Sequence, residues 1–163
     1  MRTFMAAIIG ILCLSPRAQA QVQVYGFGGA GGISPSNAYT YWSGSTLTAG
    51  AGAEYIGRHG LSLSGELEAI RRKTYFGESK TSGVASLDLG YHFKRAGEHK
   101  VVPFVSGGFS SITGINVGAG LNYWFSPRMA LRAEGRNHVL LGSDTVLNVF
   151  DFRLSLTFRA QRP

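Results

Sequence analysis

The sequence predicts an all-β chain: an eight-stranded antiparallel up-and-down transmembrane β-barrel with its apolar face turned outward. Three observations predict it. The last stretch, 146–158, places Phe150, Phe152, Leu154, Leu156 and Phe158 on one side of an extended backbone and Asp151, Arg153, Ser155 and Thr157 on the other, because successive side chains of a strand point to opposite faces. Charged residues make up only 15% of the chain, while glycine numbers 23 of 163; an average soluble domain carries about 25% charge. Gly, Ser, Pro and Asn break the chain into stretches long enough to cross a bilayer as tilted strands, which takes about 9–11 residues.

Residues 1–20 read as a secretory signal peptide. Arg2 supplies the positive start, 4–14 the apolar run, and Ala18-Gln19-Ala20 the small residues of a cleavage site. The apolar run is too short for a transmembrane helix, which needs about 20 residues. Removing 20 of 163 residues leaves 143, enough for one domain, 21–163. Cys13 is the only cysteine and leaves with the signal; Leu12 and Leu14 flank it, where a lipid anchor wants a small residue. The remaining chain then offers no disulfide, iron–sulfur site or thiol nucleophile. Of 16 basic residues, Arg2 and Arg17 are lost, leaving 14 against 9 acidic ones. Such a basic balance fits nucleic acid, but an exported protein does not meet it, so no nucleic-acid partner is expected.

In order, the strands are expected at 21–29, 46–56, 61–71, 83–93, 101–109, 113–125, 128–138 and 146–158. The links 30–45, 72–82 and 139–145 are long, while 57–60 and 126–127 are tight; 94–100 is a polar turn and 110–112 a short break. Long links alternating with short ones suit a barrel whose termini and short turns share the periplasmic side, with 110–112 the exception. Pro103 counts against the fifth strand, because proline donates nothing to a ladder. The third strand alternates Leu61, Leu63, Leu67 and Ala69 with Ser62, Ser64, Glu66 and Glu68; the fourth, sixth and seventh alternate likewise, with no charge expected on the apolar face.

Alternation alone does not say which face is outside. The polar face is too poor in charge for a water-facing surface, which wants about 25–35% charged residues. It is rich in Gly and Ser, which suits the narrow inside of eight strands. Tyr25, Phe27, Tyr55, Tyr91, Phe93, Tyr123, Trp124, Phe125 and Phe158 gather near the periplasmic boundary, as an interfacial girdle would. The polar face therefore points inward, bringing Glu54, Glu66, Glu68, Asp88, Glu134 and Asp151 into one lumen with Arg132, Arg136, Arg153 and His92. Like charges repel in so confined a space, so acids and arginines are expected to pair across the lumen and plug it, Arg–carboxylate forks satisfying many donors in little room. Glu66 and Glu68 could also suggest acid/base chemistry, but as i, i+2 neighbours on one face they read better as partners of the arginines.

Other chemistry finds little support. Gly26-Phe-Gly-Gly-Ala-Gly31 matches a dinucleotide fingerprint but no helix follows, as that site requires. His59, His92, His99 and His138 lack metal-ligand spacing, so no metal or cofactor is expected. His138 and Ser143 near the outer end are the one candidate pair for a lipid A deacylase. Arg71, Arg72, Lys73 and Lys80 surround the second outside loop with Tyr75 and Phe76, a candidate lipopolysaccharide contact. Tyr39, Tyr41 and Trp42 form an uncharged aromatic group in the first loop.

The signal peptide, the segment from Gly118 through Tyr123-Trp-Phe-Ser-Pro-Arg128 to Arg136, and the aromatic-rich last strand together resemble the small bacterial outer-membrane β-barrels of the OmpA/OmpX type. The resemblance covers the whole of 21–163. It implies location in the outer membrane, surrounding lipid and lipopolysaccharide as partners, and capture by the barrel-assembly machinery through a last strand ending on an aromatic. Phe158 matches that signal, although 159–163 run past it. A monomer is expected. The functions left in view are a structural or surface-interaction role, touching host or lipopolysaccharide; a narrow pore; and a lipid A-modifying enzyme. Filling of the lumen disfavours the pore, and no catalytic residue is assigned.

Overall fold

The computed structural model describes residues 21–35, 44–74, 79–94, 99–111, 114–141 and 146–160. They form eight strands: β1 (Gln21–Pro35), β2 (Gly44–Ile56), β3 (Leu61–Thr74), β4 (Ser79–His92), β5 (Val101–Ser110), β6 (Gly114–Trp124), β7 (Met129–Leu141) and β8 (Val146–Ala160). Each pairs antiparallel with the next, and β8 returns to β1, from Val22↔Ala160 to Pro35↔Leu147. Closure leaves no sheet edge within a bilayer, where an unpaired backbone group has no water to meet.

One end of the barrel gathers the start of β1, the end of β8 and the links 57–60, 93–100 and 125–128; the other carries the remaining links. They are called the turn end and the loop end below. Gly60 at φ 85° and Gly114 at φ 80° turn the chain where a side chain would be strained. Pro103 is tolerated because the β4 ladder starts beyond it, at His92↔Phe104, while its carbonyl still accepts from the Phe93 amide at 3.0 Å.

Burial is inverted relative to a water-soluble protein. Leu67 is 70% exposed and Phe109 72%, whereas Arg136, Asp88 and Asp151 are 0% exposed. In water this would leave a wide apolar wall uncovered; in hydrocarbon it is the stable arrangement. The interior is layered. Val102, Trp124 and Ala130 pack together at the turn end. The charged side chains fill the middle, and Ile70, Val84 and Val149 are buried towards the loop end.

Several strands run further at the loop end than expected. Residues 30–33, read as loop, pair on both sides, Ala30 with Leu47 and Phe152, Gly32 with Ser45 and Phe150, and 34–35 pair with β8. A Cβ at Gly31 would strike the Phe150 carbonyl and the Asp151 Cα, so this glycine marks close approach of two backbones and not a turn. Likewise β3 and β4 continue through Lys73↔Ser79. By contrast β5 ends at Ser110, opposite Ser86. The β3–β4 hairpin thus stands above the low β5–β6 wall. Its extension overturns the expectation of an uncharged outer face: Arg71 and Lys73 lie on the same side of β3 as Leu67 and Ala69, all exposed.

Candidate functional site

The candidate site is the charged lumen. Three arginines reach it from the last two strands, since β7 and β8 point alternate residues inward and residues 132, 136 and 153 fall on that parity. Arg132 donates to Glu54 Oε2 at 3.0 Å and, through Nε and Nη2, to Glu134 Oε2 at 3.1 and 3.0 Å. Arg136 donates through Nε to Glu134 Oε1 at 2.9 Å, through Nη1 to Glu66 Oε2 at 2.9 Å and Asp88 Oδ2 at 3.0 Å, and through Nη2 to Glu66 Oε1 at 3.1 Å. Arg153 donates to Glu66 Oε2 at 3.1 Å, to Glu68 Oε2 at 2.6 Å and to Asp151 Oδ2. Glu66 is the hub, touched by two arginines and by the Tyr25 hydroxyl, which donates at 2.6 Å. A planar guanidinium spreads five donors over a rigid fork and so can join several carboxylates at once, where a lysine has three donors on a single atom.

Two imidazoles complete the arrangement. His92 Nε2 lies 2.8 Å from Glu54 Oε1. His138 Nε2 lies 2.9 Å from Arg153 Nη2 and 3.5 Å from Asp151 Oδ1. Five basic side chains thereby interleave with the six carboxylates.

Aromatic rings line the network, and these the sequence reading placed wrongly. Tyr25, Phe27 and Trp124 are 4%, 8% and 5% exposed and point into the lumen, not to a girdle. Arg132 lies between the rings of Phe104 and Tyr25, 3.9 and 4.8 Å from their centroids, and Arg153 lies 4.7 Å from Phe27. Arg159 stacks 4.5 Å over Trp124 at the turn end. Such cation–π contacts strengthen where water is excluded. The signal was available: Gln23, Tyr25 and Phe27 share one parity, opposite Val22, Val24 and Gly26. The girdle does hold for Tyr91, Phe93, Tyr123, Phe125 and Phe158, all outward and exposed.

The rings fit because glycines face them. A Cβ at Gly52 would lie 2.7 Å from the Tyr25 ring, and one at Gly120 2.7 Å from Phe104 Cζ. Gly120→Ala is therefore expected to destabilise the barrel by about 1–3 kcal/mol, the usual cost of overpacking. The added methyl would also meet the Ala133 carbonyl of β7. Urea titration of the folded protein in micelles checks this; an unchanged midpoint would show that both the Phe104 ring and the β7 backbone give way freely.

The turn-end mouth, lined by Gln23, His92, Val102, Asn122 and Trp124 among others, holds a cavity of about 30 Å³, room for about two waters. A wider one of about 300 Å³ opens at the turns beside Arg58, His59, Lys94 and His99. Among the described residues no group of three metal-ligating side chains exists.

Of the proposed surface cations, Arg71 and Lys73 take the outward parity of β3, while Arg72 and Lys80 share the lumen parity and pair across the hairpin. They sit on paired strand, not around an open loop. Arg72 Nη2 donates to Ser82 Oγ at 3.1 Å. His138, set beside Ser143 as a candidate catalytic pair, is 0% exposed inside the barrel. Residues 1–20, Tyr39, Tyr41, Trp42, Tyr75, Phe76, Ser143 and the tail 161–163 lie outside the described residues.

Comparison with known proteins agrees with this architecture. Residues 4–159 match the model of the outer membrane protein beta-barrel domain. No curated protein matches the sequence. The N-terminal β-barrel domain of Pseudomonas aeruginosa OprF superposes with a TM-score of 0.60 at 19% identity, over 88% of this chain and 100% of that one. Neisserial surface protein A gives 0.60 at 20% identity, over 88% and 99%. Ail, the attachment invasion locus protein of Yersinia pestis, solved with the heparin analogue sucrose octasulfate, gives 0.55 at 16% identity, over 88% and 99%. At such identities the likeness speaks for the fold alone. The match over nearly the whole length, on a closed eight-stranded barrel with exposed leucines and a charged interior, places the chain in the bacterial outer membrane, as a member of the outer membrane protein β-barrel domain family.

Proposed function

We propose that this barrel is plugged, and that its work is done at the outside rim: a structural or surface-interaction protein that touches lipopolysaccharide or a host surface, neither a pore nor a lipid-modifying enzyme. The single observation that carries the reading is the lumen, where Arg132, Arg136 and Arg153 bind six carboxylates with all nine side chains buried. An ion crossing it would have to displace paired charges, and eight strands leave room for side chains and no channel. The raised β3–β4 hairpin supplies the cationic surface for contact with phosphates through its outward Arg71 and Lys73, Arg72 and Lys80 taking the lumen parity. Among the described residues no hydrolytic pair supports the enzyme, since His138 faces Asp151 and Arg153 in the interior. The protein enters the membrane as a monomer through the assembly machinery, which reads β8 with its lipid-facing Phe158, after cleavage of residues 1–20.

Planar bilayer recording tests the plug. The folded protein is expected to give no sustained single-channel currents. Steady unitary conductance from the unmodified chain would replace this reading with the pore. A change in lipid A mass on expression of the protein would replace it with the enzyme.

A further inference from the structure

Charge is distributed on the barrel wall by one rule with one exception. Among the described strand residues, Glu, Asp, Arg and Lys side chains take the lumen parity, from Glu54 on β2 to Arg159 on β8. Arg71 and Lys73 alone take the lipid parity. Both are exposed, and no described carboxylate pairs with either. A cation on the lipid face costs about 2–4 kcal/mol at mid-membrane but about 0–1 at the interface, so the pair marks the head-group level. Strand length agrees: from Leu61 beside the turn, 61–69 is about one crossing of 9–11 residues. Arg71 is the next outward side chain.

The wall beneath the pair is also distinctive. Across from Ala69 lie Ala49 on β2 and Gly83 on β4, and across from Leu67 lie Ala51 and Ala85. The opposite wall carries Phe109, Ile115, Phe150 and Phe152. On the β2–β4 wall these small residues leave a shallow recess between the exposed Leu47, Leu67 and Leu87, beneath the two cations.

We propose that this face holds one molecule of lipid A, with its phosphates on Arg71 and Lys73 and its acyl chains in the recess over β2–β4. The inference rests on the surface-contact reading above and names its ligand. The argument is charge complementarity at a fixed depth: the occupant must be anionic where the hydrocarbon ends and apolar below, which a phosphorylated outer-leaflet lipid satisfies. A soluble polyanion would instead meet Arg72 and Lys80 at the mouth as readily.

Native mass spectrometry of the full mature protein in detergent, titrated with bis-phosphorylated lipid A, tests it. Each variant is first shown to be folded by heat-modifiable migration. R71Q/K73Q is expected to lower lipid A retention roughly tenfold or more, from the loss of two cations at a membrane surface. R72Q/K80Q retains wild-type binding, and dephosphorylated lipid A binds all three proteins equally weakly. Ala49→Leu weakens binding of the phosphorylated form with both cations intact. Should R71Q/K73Q fail to fold, the single variants R71Q and K73Q carry the same comparison. Equal retention by wild type and R71Q/K73Q overturns the proposal, as does equal retention of phosphatidylglycerol. If lipid A binding fails while bilayers stay silent, only this site is lost; if currents appear while binding holds, only the plug is lost.

Discussion

Arg136→Ala is expected to destabilise the folded barrel by about 3–5 kcal/mol, the typical cost of removing one partner from a buried ion pair. Arg136 is 0% exposed and joins Glu66, Asp88 and Glu134. Without it three carboxylates face one another inside the closed barrel. The penalty is the stranded charge more than the lost attraction, and this has a measurable corollary. Asp88 has Arg136 as its ion-pair partner, so Asp88→Asn in the Arg136→Ala background should recover part of the loss. Urea unfolding in micelles, run as a double-mutant cycle, reads both. A loss under about 1 kcal/mol for Arg136→Ala would show that the lumen hydrates easily, and the plugged reading would fail with it.

Leu154→Arg should cost about 2–4 kcal/mol, the figure for arginine on the lipid face at mid-membrane. Leu154 lies midway along β8, 49% exposed, between Gly28 and Ala133. Leu61→Arg serves as the depth control. Leu61 is equally outward but adjoins the turn after Gly60, so its expected cost is about 0–1 kcal/mol. Refolding into vesicles of defined thickness, followed by gel mobility, measures the two. Equal costs at both depths would mean that the outward wall does not face hydrocarbon.

The part of this molecule legible in its sequence is what a period of two can carry. In β8 the run from Phe150 to Phe158 assigns each side chain to a face, and the structure keeps every one of those assignments. Strand number and order follow from the turns, because an up-and-down barrel pairs each strand with its neighbour. Strand ends were less legible. Glycine reads the same at a flexible end and at a close approach of backbones, so 30–35 reads as loop although β8 pairs with all of it and β2 with 30–33. Aromatic enrichment near a boundary points Tyr25, Phe27 and Trp124 to a girdle, whereas their parity turns them inward. Within the lumen, parity brings Arg153 and Glu66 to the same side, but nothing local says that residues 87 positions apart touch. That depends on how far the sheet curls before it closes. The inward glycines that face Tyr25 and Phe104 are a signal of the same kind, visible only once the curvature is known.

The order in which the ion pairs become available has a consequence for biogenesis. The acids Glu54, Glu66, Glu68 and Asp88 belong to β2, β3 and β4, whereas every arginine that meets them belongs to β7 or β8. A ribbon assembled only through β4 would present an acidic concave side with none of the three buried arginines to balance it, only His92 beside Glu54 and Arg72 and Lys80 at the rim, and two raw borders besides. Translocating the front half early gains nothing, because its counter-charges are still to come. Insertion is favourable only when the tail of the polypeptide has been delivered, so the unfinished chain must be held in a non-committed state until then.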